Sequence, residues 1–129
     1  MNTQYNVLYV DDEEANLRLF RSIFRRDFNI LTAKSGLEGL RILEEEKNIH
    51  LIITDERMPG MTGLKFLEEV HKRMPGKSPY KMIVSGYAKS ADIKHGIENH
   101  HLNDFVSKPW DENNLKSKML QGIKESEQW

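Results

Sequence analysis

The sequence predicts an α/β fold of the doubly wound kind, a parallel five-stranded sheet covered by helices on both faces. Three observations predict it. Short apolar runs alternate five times with stretches whose apolar residues recur at helical spacing. The third run, Leu51-Ile-Ile-Thr54, lacks any polar alternation and is bounded by turn chemistry, as suits a parallel strand buried on both faces. Most of the runs end on a polar or charged residue, so chemistry collects at one edge of the sheet. Strand-helix alternation of this kind requires right-handed crossovers.

Met1 to Gln4 reads as a loose end, and Tyr5-Asn-Val-Leu-Tyr-Val10 as the first strand. Asp11-Asp12-Glu13 follows directly, placing acids at the positive end of the next helix dipole. That helix runs from about Glu14 to Arg26, with Leu17, Phe20 and Phe24 at helical spacing and Ile23 beside them. Asn29 to Ala33 is a shorter, less apolar strand and belongs nearer an edge. The second helix, Ser35 to Glu46, carries Leu37, Leu40 and Leu43; Ser35 and Glu38 have capping-box spacing. After the Leu51 strand and the Pro59-Gly60 turn, Thr62 is positioned to cap a third helix, Gly63 to Arg73, that buries Leu64, Leu67 and Val70.

Pro75-Gly76 and Pro79 make a loop. Lys81 to Ser85 is the fourth strand. The fourth helix, Ser90 to Glu98, has only Ile93 and Ile97 for a stripe. Asp104 to Ser107 is the fifth strand, and a last helix from Asp111 shows Leu115, Met119 and Ile123 on one face. The chain reads as a single domain over 1–129, with its core at about 5–123. The polar stretch 124–129 is a natural terminus or the start of a linker.

Composition removes several classes of function. With 129 residues, 38% hydrophobic and 30% charged, the chain suits one globular domain with a real core. Nineteen Lys plus Arg against 20 Asp plus Glu leave a net charge of -1, and no electrostatic case for nucleic acid or a membrane surface. The absence of cysteine excludes disulfides, thiolate catalysis and Cys-ligated metals, and fits a reducing compartment. No apolar run approaches the roughly 18 residues of a membrane span, and the N-terminus lacks a signal peptide's apolar region. The expected location is the cytoplasm.

Ligands of a doubly wound sheet bind beyond the carboxyl ends of its strands. There the first strand delivers Asp11 and Asp12, the third Asp55, the fourth Ser85 and the fifth Lys108. Three carboxylates in one place repel unless something neutralises them. A hard divalent cation does so best, and Mg²⁺ (or Mn²⁺) takes oxygen ligands while sharing its shell with phosphate oxygens. Lys108 offers a positive point charge and Ser85 a hydroxyl donor. Asp55 is a nucleophile suited to aspartyl-phosphate chemistry. Together these parts describe transfer of a phosphoryl group onto Asp55.

The constellation resembles the receiver domain of bacterial two-component response regulators. The matching pieces are Val10-Asp-Asp-Glu13, Asp55-Glu-Arg-Met-Pro-Gly-Met-Thr-Gly63, Ser85-Gly-Tyr-Ala88 and Phe105-Val-Ser-Lys-Pro109. They occur in the family's order and spacing, and the resemblance covers Tyr5 to the last helix. It implies a flavodoxin-like (βα)5 sandwich with strand order 2-1-3-4-5. It implies that Asp55 accepts a phosphoryl group from a phosphohistidine on a sensor histidine kinase or phosphotransfer protein. Asp12, Asp55 and the backbone carbonyl of Arg57 would ligate the cation directly, and Asp11 mostly through water. Lys108 and Ser85 would hold the phosphoryl oxygens. Phe105 matches the family's switch aromatic, turning inward when Ser85 moves towards the phosphoryl group. The Lys108-Pro109 bond is expected to be cis by the same resemblance.

The face made by the fourth helix, fifth strand and fifth helix would then report to an output domain, a downstream protein or a second copy in a homodimer. Arg57 and Tyr87 lie two residues past Asp55 and Ser85, where the family tunes acyl-phosphate hydrolysis. A long cation and an aromatic at the mouth predict slow self-dephosphorylation.

Each residue also has a plainer reading. Asp-Asp-Glu after a strand is often only a helix start, Ser85 a strand-end hydroxyl, Lys108 a solvated cation and Phe105 core. Their convergence is what favours chemistry. His95, His100 and His101 lack an acidic pair at ligand spacing. A small-molecule phosphatase or phosphotransferase of the aspartate-nucleophile type wants a second acid where Arg57 stands. A degenerate receiver would have lost part of the Asp11, Asp12, Asp55, Ser85 and Lys108 set. The expected activity is therefore signalling, with catalysis confined to the domain's own phosphoryl transfer.

Overall fold

The computed structural model describes residues 4–74, 79–86, 90–99 and 102–127. Its elements follow the expected alternation: β1 (Asn6–Val10), α1 (Glu14–Phe24), β2 (Asn29–Ala33), α2 (Gly36–Glu45), β3 (Ile49–Thr54), α3 (Gly63–Arg73), β4 (Tyr80–Ser85), α4 (Ser90–Glu98), β5 (Asp104–Ser107) and α5 (Glu112–Glu127). All five strands pair in parallel in the order β2-β1-β3-β4-β5. That is the order the resemblance implied, and β2 takes the edge its weaker apolar content suggested. Among the described residues no helix is long and apolar enough to cross a membrane.

The sheet separates two cores. On one face Val7, Tyr9, Leu51, Ile53, Met82 and Val84 meet Phe20 and Phe24 of α1 and Leu115, Met119 and Ile123 of α5. On the other, Leu8, Val10, Ile52 and Ile83 meet Leu40 and Leu43 of α2 and Phe66, Leu67 and Val70 of α3. The alternation along each strand thus serves two apolar layers, which is why β1, β3 and β4 read as continuous apolar runs.

The helix starts follow the expected chemistry. The Ser35 hydroxyl accepts from the Glu38 backbone N–H, and Thr62 accepts from that of Lys65. The return bond of the capping box shifts by one residue, because Glu38 Oε1 accepts from the Lys34 N–H at 3.2 Å. The Lys108-Pro109 peptide is cis, as the resemblance implied.

Several details depart from expectation. Leu37 is 65% exposed and Ile97 47% exposed, so neither belongs to the buried stripe of its helix. The buried face of α2 is made by Gly36, Gly39, Leu40 and Leu43, and Leu37 lies to one side of that stripe. Leu64 is half-buried, and Phe66 takes its place in the core. β3 begins at Ile49 and β4 at Tyr80, earlier than the apolar runs suggested. His50 interrupts the first of these runs, yet its Nδ1 accepts from the Asn6 backbone N–H at 3.0 Å and secures the strand start. α1 is two residues shorter than expected, since Arg25 already acts as its C-cap.

Candidate functional site

The strand ends are fixed by their neighbours. The Asp11 N–H donates to Ala33 O, the Asp55 N–H to Val10 O and the Lys108 N–H to Ser85 O, at 3.1, 2.9 and 3.0 Å. Each bond continues a sheet ladder one step past a strand. Side chains from β1, β3 and the loop after β5 therefore leave the same edge in fixed register.

There Asp11, Asp12, Asp55 and Lys108 meet. Carboxylate oxygens of Asp11, Asp12 and Asp55 all lie within 4.8 Å of one another. Lys108 Nζ stands 3.6 Å from Asp55 Oδ1 and 3.9 Å from Asp11 Oδ2. Ser85, at the end of β4, is only 2% exposed, and Asp11 is fully buried. Asp12 is exposed and keeps the cluster open to solvent. Arg57 is exposed at the rim. Phe105 is half-buried and packs against the α2-α3 side core, paired with Ile83 across the β4-β5 ladder. Tyr87, His100 and His101 lie outside the described residues; His95 is exposed and interacts with Asn99.

The two buried acids have different surroundings. Asp11 Oδ1 accepts from the Glu13 N–H at 2.9 Å. Its Oδ2 accepts from the Tyr9 hydroxyl at 2.9 Å and from Asn16 Nδ2 at 3.2 Å. Asp55 Oδ1 accepts from the Glu56 N–H at 2.9 Å. Burial raises the Asp55 carboxyl above its ordinary range; Lys108 opposes this and the charge on Asp11 adds to it. The Tyr9 phenol is pushed far up by burial and then by Asp11, so it stays protonated and donates.

The loop that carries Asp55 onwards is tied to α3. The Gly63 N–H donates to Glu56 O at 3.0 Å, and the Leu64 N–H to Glu56 Oε1 at 2.8 Å. Gly63 lies so close to the Asp55 carbonyl that a Cβ there would collide with it. Gly60 turns the loop with φ 82°, a conformation suited to glycine. Sequence reasoning missed Tyr9, Asn16 and Glu56 as parts of the site. Tyr9 was detectable in principle, because residues i and i+2 of a strand share a face and Asp11 is two positions on.

Three hard oxygen donors, one of them solvent-facing, with surplus negative charge only partly offset by one lysine, fit a divalent cation. The model of the response regulator receiver domain family matches residues 7–120. The chain belongs to that family. This receiver domain is 30% identical over 105 residues to the two-component response regulator ORR3 of Oryza sativa, with 81% of the chain and 79% of ORR3 covered. It is 34% identical over 123 residues to the hydrogenase transcriptional regulatory protein HoxA of Bradyrhizobium diazoefficiens, covering 95% of the chain and 25% of HoxA. The chain thus spans about a quarter of the length of that relative. A receiver domain protein from Methanospirillum hungatei superposes with a TM-score of 0.88 at 28% identity, over 98% of both chains. The receiver domain is the phosphoacceptor module of response regulators, proteins of signalling rather than of metabolism.

Proposed function

We propose that Asp55 is the phosphoacceptor of this receiver domain, taking its phosphoryl group from a phosphohistidine on a sensor histidine kinase or phosphotransfer protein. The observation that carries the reading is the placement of Asp55 within 4.8 Å of Asp11 and Asp12 and 3.6 Å from Lys108 Nζ. An Asp55 oxygen attacks phosphorus as the P–N bond of the donor breaks, and the electron pair leaves with the imidazole, which gains a proton. Lys108 follows the charge from carboxylate to phosphoryl oxygens, and the Ser85 hydroxyl donates to one of them.

Asp12, Asp55 and the Arg57 carbonyl would hold Mg²⁺ or Mn²⁺, with Asp11 acting through water. The cation would neutralise charge on the phosphoryl oxygens. Ser85 moving towards the phosphoryl group leaves room into which Phe105 turns, and half-burial of Phe105 against the core suits a side chain with two positions. The α4-β5-α5 face then signals to an output domain or downstream protein, and a second copy is one partner that this face can take. Arg57 at the rim screens the attacking water and gives a long-lived acyl phosphate, and Tyr87 is the second position that tunes its lifetime.

The test is reaction with phosphoramidate, whose P–N bond mimics the donor's, followed by borohydride trapping and peptide mapping. Label at Asp55 alone is expected. Label elsewhere, or none, overturns the assignment.

A further inference from the structure

Lys108 has two claimants. Its Nζ lies 3.6 Å from Asp55 Oδ1 and 3.9 Å from Asp11 Oδ2. Asp11 is fully buried, so its charge demands compensation at least as strongly as that of Asp55. The oxygen of Asp11 that faces Lys108 is the one already bonded by the Tyr9 hydroxyl at 2.9 Å and by Asn16 at 3.2 Å. The other oxygen is held by the Glu13 N–H. Asp11 is thus satisfied without Lys108.

Tyr9 is well placed to do this. It is 3% exposed, and its ring lies flat on Phe20, with centroids 4.0 Å apart and planes 4° apart. Phe20 packs against Phe24 and Trp110, so the phenol rests on a fixed aromatic column. Strand geometry puts Tyr9 and Asp11 on the same side of β1, two residues apart. Nothing in phosphoryl transfer itself calls for a phenol at this position.

We propose that Tyr9 is a positioning residue: its hydroxyl satisfies Asp11 and so keeps Lys108 on Asp55 and the acidic cluster ready for a divalent cation. Without the hydroxyl, Lys108 moves onto Asp11 Oδ2. The Asp11-Lys108 pair then competes with the cation, and Asp11 also loses its orientation. Both effects weaken binding. A hydrogen-bond partner of a metal-site carboxylate is typically worth tenfold or more in metal affinity.

This inference rests on the phosphoacceptor reading, and one experiment separates the two. Mg²⁺ is titrated against tryptophan emission for the wild type, Tyr9→Phe and Tyr9→Leu, with urea unfolding of each metal-free protein. Tyr9→Phe keeps the ring on Phe20, and Tyr9→Leu removes it. The expected result is roughly tenfold weaker Mg²⁺ binding in Tyr9→Phe, with an unfolding midpoint close to wild type. Tyr9→Leu loses the same affinity and is clearly less stable. A wild type that binds, with Tyr9→Phe within twofold of it, overturns the positioning role alone. That would mean water entering from the adjoining cleft, which Tyr9, Asn16 and Lys108 line, replaces the hydroxyl. Affinity that falls only in Tyr9→Leu, together with stability, overturns it also. A wild type that does not respond to Mg²⁺ overturns both readings.

Discussion

Replacing Asp55 by Asn should stabilise the metal-free protein and destabilise it relative to wild type once Mg²⁺ is present. The shape is unchanged, so the effect is electrostatic. At 4.8 Å, the outer limit of the Asp cluster, two carboxylates repel by roughly 3 kcal/mol at an effective dielectric constant near 20. Lys108 at 3.6 Å returns a term of similar size and opposite sign, about 4 to 5 kcal/mol on the same scale. Two neighbouring acids, Asp11 and Asp12, oppose Lys108, and burial of a residue only 8% exposed tips the balance against the charge. The Asp55 carboxyl is accordingly raised above its ordinary value, with burial as the largest cause.

A carboxyl raised in the folded state contributes stability below its unfolded pKa near ~3.9 and loses it as pH rises through the folded value. The loss grows as pH rises, so at pH 7 Asp55→Asn should gain about 1 kcal/mol, or a few degrees in Tm for a domain of this size. The gain should vanish near pH 4. Mg²⁺ at about a hundred times its Kd should stabilise the wild type by about 2.7 kcal/mol, and the variant by much less. Thermal melts of both proteins at pH 4 and 7, with EDTA and with Mg²⁺, read all four numbers. An Asp55→Asn protein less stable than wild type in EDTA at pH 7, or one with an undiminished Mg²⁺ response, refutes the reasoning.

Three other perturbations follow from single environments. Lys81 is 2% exposed, its Nζ donates to the Pro79 carbonyl at 3.1 Å, and burial lowers its pKa. A lysine so depressed costs stability below its folded pKa and recovers it as pH rises towards the unfolded value of about 10.4. Lys81→Met should therefore be more stable by about 1 kcal/mol at pH 7, with the advantage shrinking above pH 9 in urea titrations. Gly63→Ala should cost about 1 to 3 kcal/mol and slow phosphorylation, because the added Cβ displaces the Asp55 backbone. Equal phosphorylation rates would show that the loop absorbs it. Ser35→Ala removes the α2 cap and should cost about 1 kcal/mol with no change in phosphorylation rate.

The parts of the fold legible in the sequence were those set by local pattern. β1, β3 and β4 are buried on both faces and so show apolar runs without polar alternation over most of their length, and Ser35 and Thr62 cap the helices their positions suggested. The edge arrangement of Asp11, Asp12, Asp55, Ser85 and Lys108 followed from strand ends alone. Strand order did not; alternation is compatible with several orders, and the resemblance supplied it. Leu37 and Ile97 misled because an apolar residue near a helix's stripe need not lie on its buried face. Lys81 was invisible as a buried residue, since sequence pattern assigns a lysine to solvent by default. The Tyr9-Asp11 bond needs side-chain direction as well as register. The switch role proposed for Phe105 likewise came from resemblance, for an aromatic on a strand is ordinarily core.

The most direct measurement is intact mass after incubation with acetyl phosphate and Mg²⁺, for the wild type and Asp55→Asn, each with an EDTA control. The account predicts a gain of one phosphoryl group, about 80 Da, in the wild type with Mg²⁺ and in no other sample. No gain in the wild type, or an equal gain in Asp55→Asn, contradicts Asp55 as the phosphoacceptor.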